Sequence, residues 1–265
     1  MKNINEEAIV TAYLHKPTSI KKIANDFGLC DVTISRILKR NGCRIYKKQE
    51  IYNQDFKHNY FENIETEKQA YFLGWLISDG CVHAPKDGRQ SSISLSIDGT
   101  DKYILEELKT ELGCSTSVYK NRTCYTLAFR SDKMANDLMK YGVVPNKSLI
   151  TYLPKINTKL YSHLLRGLLD GDGCIRSEIN KQNKHVHYIN FSGSHKIIVD
   201  IKDFFCNILK VNERKIYSYS TYSMITWSAI SDVNTIGNYL YNNATICLKR
   251  KYDKFIDFQK HYNLI

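Results

Sequence analysis

Arg166-Gly167-Leu168-Leu169-Asp170-Gly171-Asp172-Gly173-Cys174 decides the fold, because the chain carries the same pattern once more as Leu73-Gly74-Trp75-Leu76-Ile77-Ser78-Asp79-Gly80-Cys81. In each copy small residues stand four apart, Gly74 with Ser78 and Gly167 with Gly171, in an apolar run that ends in a carboxylate and a glycine. That spacing puts the small residues on one helix face, where two backbones can approach closely. It predicts that the two copies pack against each other as helices, with Gly80 and Gly173 in the left-handed conformation that ends a helix. Asp79 and Asp172 then stand at paired helix C-termini, where the backbone dipoles are also negative. Two carboxylates brought together there repel each other and require either protonation or a divalent cation. Hard oxygen ligands point to magnesium or calcium.

Working outward, the duplication extends beyond the motifs. Asp79 matches Asp172, Gly99-Thr100-Asp101-Lys102 matches Gly193-Ser194-His195-Lys196, and Ser131-Asp132 matches Ser231-Asp232, at offsets of 93, 94 and 100 residues. Each half reads helix, hairpin, helix, hairpin, helix, an α+β unit. Thr66 with Gln69 forms a capping box for the first motif helix. The turn signal Lys86-Asp87-Gly88 precedes a strand in which Ile93, Leu95 and Ile97 alternate with Ser92, Ser94 and Ser96. Strands are expected over Ser117 to Lys120 and Tyr125 to Arg130, and a helix from Ser131 toward Gly142. In the second half Ile189 and Phe191 face inward, while Tyr188, Asn190 and Ser192 face outward near Arg176 and the basic loop Lys181 to His187.

Residues 1 to 60 carry eleven basic and six acidic side chains and do not match the repeat. Ser19 to Gly28 reads as a short helix and tight turn, and Asp31 to Arg40 as a second helix, the spacing of a helix-turn-helix. Ile20, Ile23, Ala24 and Phe27 are expected to pack against Ile34, Ile37 and Leu38, leaving Thr33, Ser35, Arg36 and Arg40 for a groove. This module is assigned to residues 1–45, with a polar linker over 46–65 and the two repeats over 66–155 and 156–265.

The chain has 265 residues and a net charge of +11, which favours a polyanionic partner. No apolar run approaches the roughly 18 residues that span a bilayer, and the N-terminus lacks a signal-peptide core, so the expectation is an intracellular protein without membrane association. Eight cysteines occur without a CxxC pair, which argues against zinc and reads as small buried hydrophobes needing no disulfides. Charge alone does not separate nucleic acid from an anionic membrane surface, and the absence of a membrane segment favours nucleic acid. The candidate contacts on the repeats are Arg89, Ser94, Ser96, Arg122, Arg130, Arg176, Lys184, Tyr188 and Asn190.

With these residues set out, residues 66 to 265 resemble the LAGLIDADG homing endonucleases in their single-chain, two-motif form. The resemblance implies two pseudo-symmetric αββαββα repeats whose antiparallel sheets form a saddle on double-stranded DNA. It implies a monomer that hydrolyses both strands of a long asymmetric target and so promotes mobility of its intron or gene. Asp79 and Asp172 would hold two or three magnesium ions at the scissile phosphates, with manganese substituting and calcium binding without supporting cleavage. A lysine near each metal would map onto Lys147 and Lys251. Departures are visible: Ile77 stands where the motif has its first acid, while Leu73, Trp75 and Arg166 replace simpler residues. Asp170 is then a structural or supporting group. A relative that binds without cutting, such as a maturase acting on its own intron RNA or a helix-turn-helix regulator, is the alternative. The two carboxylates favour the nuclease. The chain ends lack splicing residues, so a free-standing or intron-encoded enzyme is expected over an intein.

Overall fold

The computed structural model describes residues 5–15, 19–43, 45, 56–84, 90–145 and 151–265. They divide into two units, Met1–Lys57 with Gly113–Thr116, and His58–Leu112 with Ser117–Ile265.

In the first unit three helices, α1 (Glu6–His15), α2 (Ile20–Phe27) and α3 (Asp31–Arg40), enclose a core of Ile9, Tyr13, Ile23, Ala24, Ile34, Ile37 and Leu38. Ser19 caps α2 by accepting from the Lys22 amide at 3.2 Å. Gly28 ends it at φ 62°, a left-handed conformation that suits glycine. Phe27, expected in this core, is exposed. Gly28 turns the chain so that Leu29 packs against the core instead.

The second unit contains the duplication. Its first half runs α4 (Glu67–Ser78), β1 (Gly80–His83), β2 (Ser92–Asp98), α5 (Tyr103–Leu112), β3 (Tyr119–Asn121), β4 (Cys124–Arg130) and α6 (Asp132–Lys140). The second half runs α7 (Tyr161–Asp172), β5 (Cys174–Ile179), β6 (His185–Gly193), α8 (His195–Phe204), β7 (Tyr217–Ser218), β8 (Ser223–Trp227) and α9 (Ile230–Tyr241). A further helix, α10 (Lys249–His261), follows. Each half builds a four-stranded antiparallel sheet, ordered β1-β2-β4-β3 and β5-β6-β8-β7. The α+β architecture is therefore present twice.

Strand alternation sets the faces. Ile93, Leu95, Ile97, Leu127 and Phe129 of one sheet are buried, as are Ile189, Phe191, Ile225 and Trp227 of the other. The Thr66–Gln69 capping box is formed, with each partner bonding the other's backbone. The expected linker is not polar throughout: Tyr60, Phe61 and Ile64 are buried, and Gln69 Nε2 donates to the Tyr60 carbonyl at 2.7 Å. Aromatic burial draws this segment into the second unit. The turn signal Lys86-Asp87-Gly88 lies outside the described residues.

Strand register also corrects the repeat alignment. Cys81 pairs with Ser94 and Cys174 with Asn190, so Ser94 and Asn190 are equivalents, 96 positions apart. Tyr119 pairs with Thr126 and Tyr217 with Met224, which makes Tyr119 and Tyr217 equivalent at 98. The helices that follow β4 and β8 have Ser131 and Ala229 at their N-caps. Ser131-Asp132 and Ser231-Asp232 are thus two positions out of structural register, because short polar matches at helix starts slide easily along the sequence. Of the eight cysteines only Cys114 is fully buried. Cys81 is exposed because its place in the strand alternation sends it to the outer face.

Candidate functional site

The site begins where α4 and α7 touch. A methyl on Gly167 would stand 2.1 Å from the Tyr71 carbonyl oxygen, and one on Gly74 would stand 2.4 Å from that of Leu164. The helices therefore pack backbone against backbone, as the four-residue spacing predicts. Further along, a methyl on Gly171 would meet Ser78 Oγ at 2.0 Å and Asp79 Oδ2 at 3.0 Å. The Asp79 carboxylate consequently lies against the last turn of the partner helix, one residue from Asp172. Both aspartates are exposed.

Gly80 and Gly173 do not adopt the expected left-handed conformation: Gly173 has φ −91° and ψ 179°, and Gly80 opens strand β1. Space explains their presence. A methyl on Gly80 would stand 2.5 Å from the Leu76 carbonyl oxygen, and one on Gly173 would stand 2.6 Å from Leu169 Cδ1 and 2.8 Å from the Asn190 carbonyl oxygen. Each chain leaves its helix directly into a strand. Ser192 Oγ donates to the Asp172 carbonyl at 2.5 Å and ties the helix end to β6.

Lys251 reaches the same helix end from α10. It is buried, and its Nζ donates to the carbonyl oxygens of Leu169 at 2.6 Å, Asp170 at 2.8 Å and Gly173 at 2.6 Å. A cation on the last carbonyls of a helix offsets the negative end of its dipole. Burial pulls the Lys251 pKa down to about 8, with the Asp170 carboxylate acting in the opposite direction. All three ammonium protons are engaged, so Lys251 does not face the site as a free lysine. Lys147 lies outside the described residues.

Asp170 is buried and belongs to the framework. Its Oδ2 accepts from Tyr71 Oη and from the Leu248 amide, both at 2.8 Å, and so caps the start of α10 while reaching across to α4. Burial raises its pKa, opposed by Lys251. The equivalent position in the first half holds Ile77, which is buried and apolar.

Arg166 accounts for another departure from the motif. Fully buried, it donates through Nε to the Ile246 carbonyl at 2.8 Å and through its terminal nitrogens to the Leu240 carbonyl at 2.7 Å and Glu67 Oε1 at 2.6 Å. Glu67 also accepts from the Thr245 amide at 2.8 Å and from Thr245 Oγ1 at 2.9 Å. Tyr103 Oη accepts from the Lys249 amide at 2.8 Å and donates to the Cys247 carbonyl at 3.0 Å. These bonds fix the segment that delivers Lys251. Glu67, Tyr103 and Thr245 were not anticipated; the available signal was Arg166 itself, since a charge inside an apolar helix must be paired.

The outer sheet faces hold most of the expected contacts. Ser96 Oγ and Thr126 Oγ1 are 2.8 Å apart, and Ser92 sits opposite Arg130. Arg122 is exposed at φ 57° on the β3–β4 turn. Arg176 lies over the Tyr188 ring and donates to Glu178 Oε1 at 2.9 Å. Asn190 Nδ2 contacts Met224 Sδ at 3.4 Å, and Lys184 is exposed. Tyr119 and Tyr217, the equivalent pair exposed on the two sheets, were not anticipated. On α3, Arg36 is exposed, Thr33 and Ser35 are half-buried, and Arg40 pairs with Glu6. Arg89 lies outside the described residues.

Among the described residues no three His, Cys, Asp or Glu side chains gather as a metal cage. The donors that Asp79 and Asp172 offer are hard carboxylate oxygens at negative helix ends. This set fits an oxygen-seeking divalent cation.

No family sequence model and no curated protein sequence matches the chain. Solved structures do. One is the I-SmaMI LAGLIDADG homing endonuclease bound to cleaved DNA, at 15% identity and a TM-score of 0.51, over 75% of this chain and 89% of that one. I-SmaMI bound to uncleaved DNA target in the presence of calcium ions matches at 16% identity and a TM-score of 0.51, over 74% and 90%. LAGLIDADG homing endonuclease I-GzeII in complex with its DNA target matches at 13% identity and a TM-score of 0.51, over 74% and 90%.

Proposed function

From a chain with the LAGLIDADG homing-endonuclease fold, we propose a site-specific endonuclease that hydrolyses both strands of a long, asymmetric DNA duplex with divalent metal. The carrying observation is the pair Asp79 and Asp172, exposed at the ends of two helices packed backbone to backbone. A protein that only binds DNA gains nothing from holding two carboxylates there against their repulsion.

Asp79 and Asp172 are the residues that would hold the metal. When bound, magnesium neutralises charge on the phosphate and lowers the pKa of water. Lys251 acts on the site from behind, by fixing the last turn of α7 and with it the direction of Asp172. Arg122, Arg130 and Lys184 suit phosphate contacts, which set position and salt dependence. Ser94, Ser96, Tyr188 and Asn190 offer hydrogen bonds to base edges. Because both motif helices lie in one chain, a monomer suffices, and its unequal halves read unequal half-sites. The N-terminal unit adds contacts through Thr33, Ser35 and Arg36 on α3, as a helix-turn-helix does.

The test is cleavage of a randomised duplex library in magnesium, with an Asp79→Asn/Asp172→Asn double variant as control. Double-strand cuts at one enriched long site, absent from the variant, are expected. Specific binding of DNA or of an intron RNA without any cutting would overturn the nuclease in favour of a maturase or regulator.

A further inference from the structure

The two halves carry hairpins of the same length at their outer edges, and their chemistry is exchanged position by position. Register makes Ser218 the equivalent of Lys120, Tyr219 of Asn121, Ser220 of Arg122 and Tyr222 of Cys124. The first tip is therefore basic, and the second has lost both cations and gained two aromatic rings. No charged residue occurs from Ile216 to Ser231, an unusual run in a chain of net charge +11.

The aromatic tip is built, not frayed. The Tyr219 amide donates to the Tyr222 carbonyl at 2.8 Å, closing the turn, and the two rings stack at 4.7 Å with planes 22° apart. Ser223 Oγ donates to Ser218 Oγ at 3.0 Å, and both hydroxyls lie 3.3 Å from His195 Nδ1 at the start of α8. Tyr219 and Tyr222 nonetheless remain 52% and 43% exposed, so the stacked pair keeps its outer surface in water. Thr221 and Tyr222 line the same cleft as Ser78, Asp172 and Ser192. The cleft thus runs from Asp172 at the end of α7 to Thr221 and Tyr222 on the aromatic tip.

On the premise of the DNA-cleavage reading, we infer that the two hairpins divide recognition: Lys120 and Arg122 hold DNA phosphates, while Tyr219 and Tyr222 contact the bases or sugars of the other half-site without using charge. Rigid aromatics with hydroxyl neighbours supply contact area at little entropic cost. Stacking tolerates salt, whereas phosphate contacts do not.

The experiment uses the full chain and a duplex selected from a randomised library by the wild type, with the dissociation constant measured from low to high salt. Lys120→Ala/Arg122→Ala lowers the magnitude of the log–log salt slope by about 2. Tyr219→Ala/Tyr222→Ala leaves the slope unchanged and weakens binding about tenfold at every salt concentration, with relaxed selectivity confined to one half-site. Tyr219→Phe/Tyr222→Phe keeps the affinity, and the unfolding midpoint of the Tyr→Ala variant separates recognition from loss of the hairpin. Equal affinity and selectivity in the Tyr→Ala variant, or a changed slope, overturns the division while leaving the nuclease intact. No sequence-selective DNA binding by the wild type overturns both.

Discussion

Lys251 and Asp170 exchange helix caps. Lys251, on α10, donates to the last carbonyls of α7, and Asp170, on α7, accepts the Leu248 amide that opens α10. Each helix thereby satisfies the other's unpaired end, and the dipoles favour both charges. The exchange brackets Asp172 at the end of α7, so the orientation of a candidate metal ligand depends on α10.

Lys251→Met removes the ammonium from three carbonyls at the end of α7 and is expected to lower unfolding free energy by about 2–4 kcal/mol. A pH signature separates this from simple loss of packing. The folded pKa of Lys251 is about 8 against an ordinary lysine value of 10.5, so above pH 8 the unfolded chain binds more protons at this group and its contribution to stability rises with pH. Between pH 8 and 9 the wild type should gain about 1 kcal/mol relative to Lys251→Met. Denaturant titrations at the two pH values check it, and parallel curves would dismiss the buried cation.

Gly167→Ala should be among the most damaging single substitutions. Its methyl would meet a backbone oxygen at 2.1 Å, so α4 and α7 must separate. A cost of about 3 kcal/mol or more is expected. Asp79 and Asp172 are displaced together, so DNA cleavage falls further than DNA affinity. A variant with wild-type stability would mean that the helices do not meet here.

Glu67→Gln removes the carboxylate that faces buried Arg166 and is expected to cost about 3 kcal/mol, because an uncompensated cation remains inside. The Glu67→Gln/Arg166→Met double variant should recover part of that loss. Urea unfolding of these two variants and of Arg166→Met decides; losses that simply add would show that the pair is not coupled.

His185, His187 and His261 cluster where β6 meets the end of α10. The His185 and His261 rings stack at 3.8 Å, and Tyr262 Oη lies 3.0 Å from His187 Nδ1. Burial, with the neighbouring histidines, holds His185 and His187 below the ordinary histidine value of 6.5. The unfolded chain then binds protons first, so stability is lost as pH falls below about 6.5. Unfolding midpoints of wild type and His185→Phe/His187→Phe between pH 7 and 5 should diverge, the variant losing less. Matching profiles would remove the cluster from the acid response.

The motif helices, their contact face and the two terminal aspartates were legible from the sequence, because small residues four apart and alternating strand residues act locally. Ile93, Leu95 and Ile97 needed no partner to declare which side of β2 is dry. The glycines after the motifs were legible as necessary but not in their reason, since a clash with Leu76 or with the Asn190 carbonyl exists only once distant atoms meet.

Periodicity alone was enough to read the duplication, the strand faces, the two helices over Ser19 to Arg40 and the pairing of Asp79 with Asp172, whereas the first helix, Glu6–His15, came only from the structure. Only the tertiary structure decided that Lys251 is a buried cap, that Arg166 is paired with Glu67, and that two equivalent hairpins traded cations for tyrosines. Those facts rest on contacts between residues tens of positions apart, and on burial, which changes the chemistry of a side chain without changing its letter.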